Sequence, residues 1–351
     1  MSGSGTFSPA RTLAVCLVLF VVLVVALAAG LSVGAAPVRP WTLLSGALSG
    51  DEAMRAREIL LGLRLPRLLL AAIVGAALSA GGVAYQAVLR NPLADPFILG
   101  VSGGAALGAI LSSALGLEAG AGEGALGLAR PVLAFAGAVA AILALFAVSR
   151  GSRRRLSETS VLLTGAIINA FLSAVILFVI TVADYTRFQR VFFWLVGSIE
   201  PPPLAPLATT GLLVAAGLAA LVLLSGRMNV LSLGDDEARA LGIDPHAVRR
   251  NTILAASLVT AAAVSMSGLI GFVGLMVPHA ARTILGPDHR SLLPASALAG
   301  AAFLVAADSV ARSLLAPVEM PVGIITALCG GPFFLYLFNR RGGLFTASGG
   351  R

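Results

Sequence analysis

Residues 227–250 read RMNVLSLGDDEARALGIDPHAVRR, a polar island between two long blocks that are almost wholly apolar. The island is too charged to lie in hydrocarbon and too short to be a domain. Asp235, Asp236 and Glu237, followed by Ala238, Arg239, Ala240 and Leu241, predict a short helix with its acids at the N-terminal, positive end of the dipole. Gly242 ends that helix, and Asp244-Pro245 opens a second turn. A capped helix–turn–helix held at a membrane surface is a handle for a partner. The rest of the chain reads as the membrane machine that such a handle would drive.

Composition agrees with a place in the bilayer. The chain has 351 residues, 58% of them apolar and 11% charged, with a mean hydropathy of +0.97. Soluble domains carry about 25% charged residues. Apolar runs of roughly 20 residues predict an all-α, multi-span protein, and the sequence has none of the short alternating segments of a β-barrel. The net charge of +8 is carried by arginine alone, because the chain contains no lysine. Basic span ends account for it without nucleic acid. The missing lysine also excludes a Walker A loop, whose lysine contacts nucleotide phosphates. If ATP drives this chain, another chain hydrolyses it. Cys16 and Cys329 lie in separate apolar spans and read as small buried hydrophobes, not as a disulfide or a metal pair.

Ten spans follow in order, within one domain covering 1–351. The first, about 13–31, is longer than the roughly 7–15-residue core of a signal peptide and is read as retained. Residues 32–63 are polar. The second span runs from RLPR (64–67) to about 89, and RNPLADP (90–96) is a tight turn, since two prolines cannot continue a helix. GVSGGA (100–105) opens the third, and the fourth is about 131–148. RGSRRR (150–155) is the densest basic cluster and marks a cytoplasmic loop. The fifth span is about 159–182. Tyr185, Phe192, Phe193 and Trp194 then suit an amphipathic piece at the interface, before the sixth, about 204–224.

Residues 251–285 are apolar but broken by Gly268, Gly271 and Gly274. Two short spans there put fifteen arginines inside and nine outside, whereas one span gives eleven and thirteen. The positive-inside rule favours two. Spans nine (about 292–314) and ten (about 322–338) leave both termini cytoplasmic, with the island between spans six and seven.

Several residues bear on chemistry. Asp308 is the one carboxylate well inside an expected span, so it should be paired, and Arg312 at i+4 can reach it. Proton coupling through Asp308, in a self-contained secondary transporter, is the rival reading. His246, His279 and His289 are scattered without metal-ligand spacing; His279, after Pro278, suits a hydrogen bond to broken backbone. No nucleophile–base pair suggests an intramembrane enzyme. Gln86 and Asn169 suit interhelical hydrogen bonds, with Asn169 also able to line a path.

The stretches RLPR, RNPLADPFILGVSGGA (90–105), LGDDEARALGI (233–243), GLIGFVGLMVPHAAR (268–282), DHRSLLP (288–294), Ala307-Asp308 with Arg312, and MPVGIITALCGGPFF (320–334) together resemble the FecCD-type permease subunits of ABC importers for iron-siderophores, haem and cobalamin. The resemblance covers nearly the whole chain. It implies a homo- or heterodimer of ten-span permeases with a path at the interface and an approximate inverted repeat of spans two to five against seven to ten. Two cytoplasmic ATPases would bind the ATP and magnesium, this chain holding no cofactor, and an external solute-binding protein would deliver cargo. Asp235, Asp236, Glu237, Ala238, Arg239, Leu241 and Gly242 then match the ATPase-coupling helix. Arg64, Arg67 and Arg312 match outer arginines that face carboxylates of the binding protein, where the residues alone would suggest basic side chains snorkelling to the interface. Ser157, Thr159 and Ser160 match a loop that helps close the cytoplasmic gate, beside their plainer role as helix caps. Glu158 makes that loop unusually charged. The motifs do not encode which chelate is carried.

Overall fold

The computed structural model describes residues 8–34, 38–44, 50–117, 129–151, 158–182, 192 and 194–345. Among them the regular structure is helical, without strands: α1 (Pro9–Ser32), α2 (Pro40–Leu44), α3 (Gly50–Arg57), α4 (Leu65–Val88), α5 (Val101–Ala114), α6 (Ala129–Gly151), α7 (Glu158–Val182), α8 (Leu204–Leu231), α9 (Asp235–Ala240), α10 (Pro245–Ser267), α11 (Val273–Leu285), α12 (His289–Ser313) and α13 (Val322–Phe345). The expected polar linker 32–63 is helical in its second half, because α3 runs through a π-helical segment, Glu58–Arg64, into α4. By length and composition α1, α3–α4, α6, α7, α8 and α12 can each cross a membrane. With the shorter apolar α5, α11 and α13, and with α10, they match the ten expected spans and make this a multi-pass membrane protein.

Helix α4 is the axle. It packs against α12, α10, α8 and α11, and almost all of its length is buried. Small residues make this possible where apolar contact with lipid would otherwise serve equally well. Gly75 lies on the Gly300 carbonyl and Gly82 on that of Gly274, each too close for a Cβ. The helices α1 and α7 lie at the rim, with only 6% of their most apolar windows buried, so their faces are left for lipid or a second subunit.

Two helices are only about two-thirds as long as a span. The Tyr85 hydroxyl meets Ser257 Oγ at 3.0 Å, and Gly81 faces Thr260, which sets α4 antiparallel to α10. Gly274 packs on the Leu78 carbonyl and on Pro96. Both α11 and the turn 90–99 therefore reach the middle of α4, and the chain folds back into the bundle instead of stopping at its end. At about 1.5 Å per residue the 14-residue α5 and 13-residue α11 are each ~20 Å long. Their starts are turned by Gly100 at φ 87 and by Gly268 and Phe272 at φ 67 and 68.

Backbone at that depth must find partners within the protein. Asn169 Nδ2 donates to the carbonyls of Phe97 and Ile98 at 2.7 and 3.2 Å. Ser198 N donates to Ser267 O at 2.9 Å, and Gly323 N to Gly197 O at 3.1 Å. The segment expected to lie at the interface is thus different where described: Trp194 and Ile199 are buried, inserted between the end of α10 and the start of α13. Phe192 is exposed, and Tyr185 and Phe193 lie outside the described residues.

Candidate functional site

The island folds as a bracket. Helix α9 ends at Gly242, φ 76. There Gly242 N donates to Arg239 O and Ile243 N to Ala238 O, both at 2.9 Å, a left-handed closure that satisfies the last carbonyls. Asp244 Oδ1 then accepts from His246 N at 2.9 Å and starts α10. The two faces of α9 differ. Ala238 is buried and Asp235 is turned inward, while Asp236, Glu237, Arg239 and Gly242 are exposed. Leu233 and Leu241 are 66% and 62% exposed, a leucine pair flanking an acidic turn. The Arg239–Asp236 pair at 2.7 Å is solvent-exposed and contributes little.

Beneath α9 two arginines and two carboxylates from four elements converge. Arg90, just past α4, reaches Glu158 at the start of α7 at 2.8 Å and Asp235 at 2.6 Å. Arg249 on α10 reaches Asp235 at 3.0 Å and Glu158 at 3.4 Å. Arg90 also donates to the Leu231 carbonyl from Nε and Nη2, at 3.0 and 2.8 Å. The Arg249 side chain is fully buried, which a cation tolerates only with such partners. Partial burial raises the Asp235 pKa, but Arg249 and then Arg90 outweigh it and hold the carboxyl below its usual range. A second tie joins α8 to α12: Asn229 Nδ2 donates to Asp288 Oδ1 at 2.7 Å, and Asn229 Oδ1 accepts from His289 N at 2.8 Å.

Of the residues expected at a gate, Ser157 lies outside the described residues, Thr159 is exposed and Ser160 half-buried. Glu158 between them is the one drawn into the charge cluster. Nothing in its local sequence names Arg90 or Arg249 as a partner.

At the opposite end of the bundle Asp308 is fully buried on α12. Arg312 Nε lies 3.1 Å from its Oδ2. Arg67 donates to its Oδ1 from both Nε and Nη2 at 3.1 Å, and to Glu319 at 2.6 Å. Arg312 Nη2 also donates to the Gly30 carbonyl at 3.2 Å, and Arg64 Nη1 to the carbonyls of Leu31 and Val38 at 2.8 and 2.9 Å. All three arginines are buried. The guanidinium groups expected to face a partner are engaged within the chain, so a partner carboxylate would have to displace these bonds. Asp95, read as part of a simple turn, is a second buried carboxylate and caps the Pro96–Leu99 turn by accepting from Phe97 N at 2.8 Å.

Between α5, α7 and the two re-entrant turns lies a cavity of about 600 Å³, lined by Phe97, Ser102, Asn169, Ser173, Leu269 and Gly271 among others. It is mostly apolar with a few polar groups, as a small-molecule site or path would be. Asn169 both lines it and holds its turn. Gln86 accepts from Arg282 Nη2 at 2.9 Å, an interhelical bond. His279 sets its ring edge-on to Phe333, with centroids 6.0 Å apart.

The sequence pattern of the FecCD transport family matches residues 21–340. A cobalamin import permease of Halobacterium salinarum is 42% identical over 306 residues, covering 86% of this chain and 80% of its own. A hemin transport permease of Yersinia pestis is 40% identical over 287 residues, covering 81% and 84%. Among solved structures, a metal-chelate type ABC transporter in an inward-facing conformation aligns with a TM-score of 0.79 and 30% identity, covering 93% of this chain and 99% of its own.

Proposed function

The chain belongs to the FecCD transport family, and on that premise we propose that it carries a metal chelate inward along the interface of two permease subunits. An ATPase pair docked on α9 drives the movement, with ATP and magnesium bound by the ATPases, and an external solute-binding protein supplies the cargo. The observation that carries this reading is the two-sided α9. Its acidic and leucine-bearing face points away from the bundle, while its other face is tied to three elements of the bundle. Such a helix receives force on one side and delivers it on the other.

The island end is then cytoplasmic. The start of α1 shares that end, since Arg11 Nη2 donates to the Ile284 carbonyl at 2.9 Å. The relatives named for cobalamin and hemin and the metal-chelate neighbour favour a chelated-metal cargo, a ferric siderophore included. Thr159 and Ser160 lie at the cytoplasmic base of α7, where a gate would close. Arg64, Arg67 and Arg312 shape the outer face on which the binding protein lands, through the loops and carboxylates they hold.

Co-purification in mild detergent with ATPases of the same cell, scored by vanadate-sensitive ATP hydrolysis, tests the reading. An active complex that is lost on changing Glu237→Arg together with Leu241→Ala is the expected result. Transport by the isolated chain in proteoliposomes would overturn it and make Asp308 a coupling-ion site.

A further inference from the structure

We propose that Glu158, Arg90 and Arg249 form the link by which α9 moves the cytoplasmic base of α7, which makes Glu158 a positioning residue for transport. The proposal rests on the permease reading above and deepens it.

Helix α7 is a wall of the cavity, through Asn169, Ser173, Ile176 and Leu177. It is also a lightly held wall, with 6% of its most apolar window buried. Halfway along, Gly165 rests on the Ile98 carbonyl and Asn169 binds the re-entrant turn. At its base Glu158 Oε1 accepts from Arg90 at 2.8 Å and lies 3.4 Å from Arg249 Nη2. The same two guanidinium groups hold Asp235 of α9, at 2.6 and 3.0 Å. The carboxylates of the driven helix and of the cavity wall are therefore bridged twice.

The bridging groups are themselves constrained. The Arg249 side chain is fully buried. Arg90 sits at φ 44, a left-handed backbone that non-glycine residues rarely adopt, and its side chain is fixed to Leu231 O, Glu158 and Asp235. Two cations and two anions make the cluster neutral as a set. If α9 shifts and Asp235 moves with it, the guanidinium groups must follow or lose a partner. If Glu158 stays behind, a buried cation loses half of its compensation, and that penalty makes the link stiff. Hydrogen-bond and salt-bridge networks between two elements carry coupling of this kind, and these four residues supply one. A tilt of α7 at its base then changes the width of the cavity above.

The test uses the full transporter, with its ATPases and binding protein, in proteoliposomes. Glu158→Gln should co-purify with the ATPases as the wild type does and hydrolyse ATP at the basal wild-type rate. It should move roughly tenfold less cargo per ATP, within the usual range for coupling between sites. A second readout is the ATP-dependent distance between spin labels at Leu163→Cys on α7 and Leu17→Cys on α1, with Cys16 and Cys329 replaced by alanine. Glu158→Gln should abolish the change in that distance. Wild-type transport per ATP and a wild-type distance change in Glu158→Gln would overturn the proposal while leaving the permease reading intact. Absence of any ATPase complex with the wild-type chain would instead overturn the permease reading. If Glu158→Gln does not assemble, Arg90→Gln carries the same two outcomes. Failure of both to assemble would overturn the link as well, because the cluster would then hold the fold and not transmit movement.

Discussion

Arg67 and Asp308 are 241 residues apart in the chain, yet Arg67 donates to one Asp308 oxygen from two nitrogens, at 3.1 Å each. The contact clasps α4 to α12 at the end opposite α9. Asp308 is shared with Arg312, and Arg67 is shared with Glu319, so the cluster is close to neutral, with Asp308 and both arginines buried and Glu319 exposed.

The two halves of this clasp are not equivalent. Asp308→Asn leaves Arg67 and Arg312 facing each other without the anion between them, and should cost about 3–5 kcal/mol, as for one partner removed from a buried pair. Arg67→Met leaves Asp308 with Arg312 and should cost less, about 2 kcal/mol. Thermal unfolding in mild detergent should rank Asp308→Asn below Arg67→Met. The reverse order would mean that Arg312 does not serve Asp308.

On α9 the sequence motif mixes two roles that the structure separates. Glu237→Arg and Leu241→Ala alter an exposed face and should leave unfolding within about 0.5 kcal/mol, while ATPase co-purification falls. Asp235→Asn takes a partner from buried Arg249 and should lower stability by about 2 kcal/mol, whether or not an ATPase is present. Equal thermal effects from the two changes would refute the two-sided reading.

Glycines in the spans should divide by what a Cβ would meet. Gly75→Ala and Gly82→Ala would collide with the Gly300 and Gly274 carbonyls and should each cost about 1–3 kcal/mol by forcing helices apart. Gly211→Ala on α8 would meet only Ile73 Cδ1, at 3.5 Å. It should be neutral, or stabilising by up to about 1 kcal/mol from helix propensity. Melting curves of the three variants decide the matter.

The tether of α9 should have an acid limit. Its arginine partners depress the pKa of Asp235, so its contribution is fully present above the unfolded carboxyl value of about 3.9. It is lost only as pH falls through the lower, folded value. A spin label at Leu241→Cys should keep the same mobility from neutral pH down to about 4 and loosen only below it. Loosening between neutrality and pH 5 would show that Asp235 is not held by Arg249 and Arg90.

Much of this architecture was legible in the residues. Arginine counts correctly divided 251–285 into two helices, and Gly242 and Asp244-Pro245 marked the end of α9 and the start of α10. What stayed hidden was depth and direction. RNPLADP reads as a turn from its prolines, but its return to mid-bundle depends on Asn169, some 70 residues on, satisfying the Phe97 and Ile98 carbonyls that follow it. Local spacing gives Asp308 its partner at i+4 but not Arg67, whose contact crosses most of the chain.

The sequence by itself determined that the chain is a bundle of apolar helices carrying one polar bracket, because hydropathy, helix breakers and charge asymmetry are local or additive properties. Only the tertiary structure decided which helix is the axle and which is the rim. The windows of α3–α4 and α7 have similar hydropathies, 2.0 and 2.4, yet 83% of one is buried and 6% of the other. In a bilayer a helix is apolar on every side whether it meets lipid or protein, so periodicity marks no inward face. Close backbone packing at Gly75 and Gly82, and paired charges at Arg67–Asp308 and Arg90–Asp235, make that choice between elements far apart in the chain.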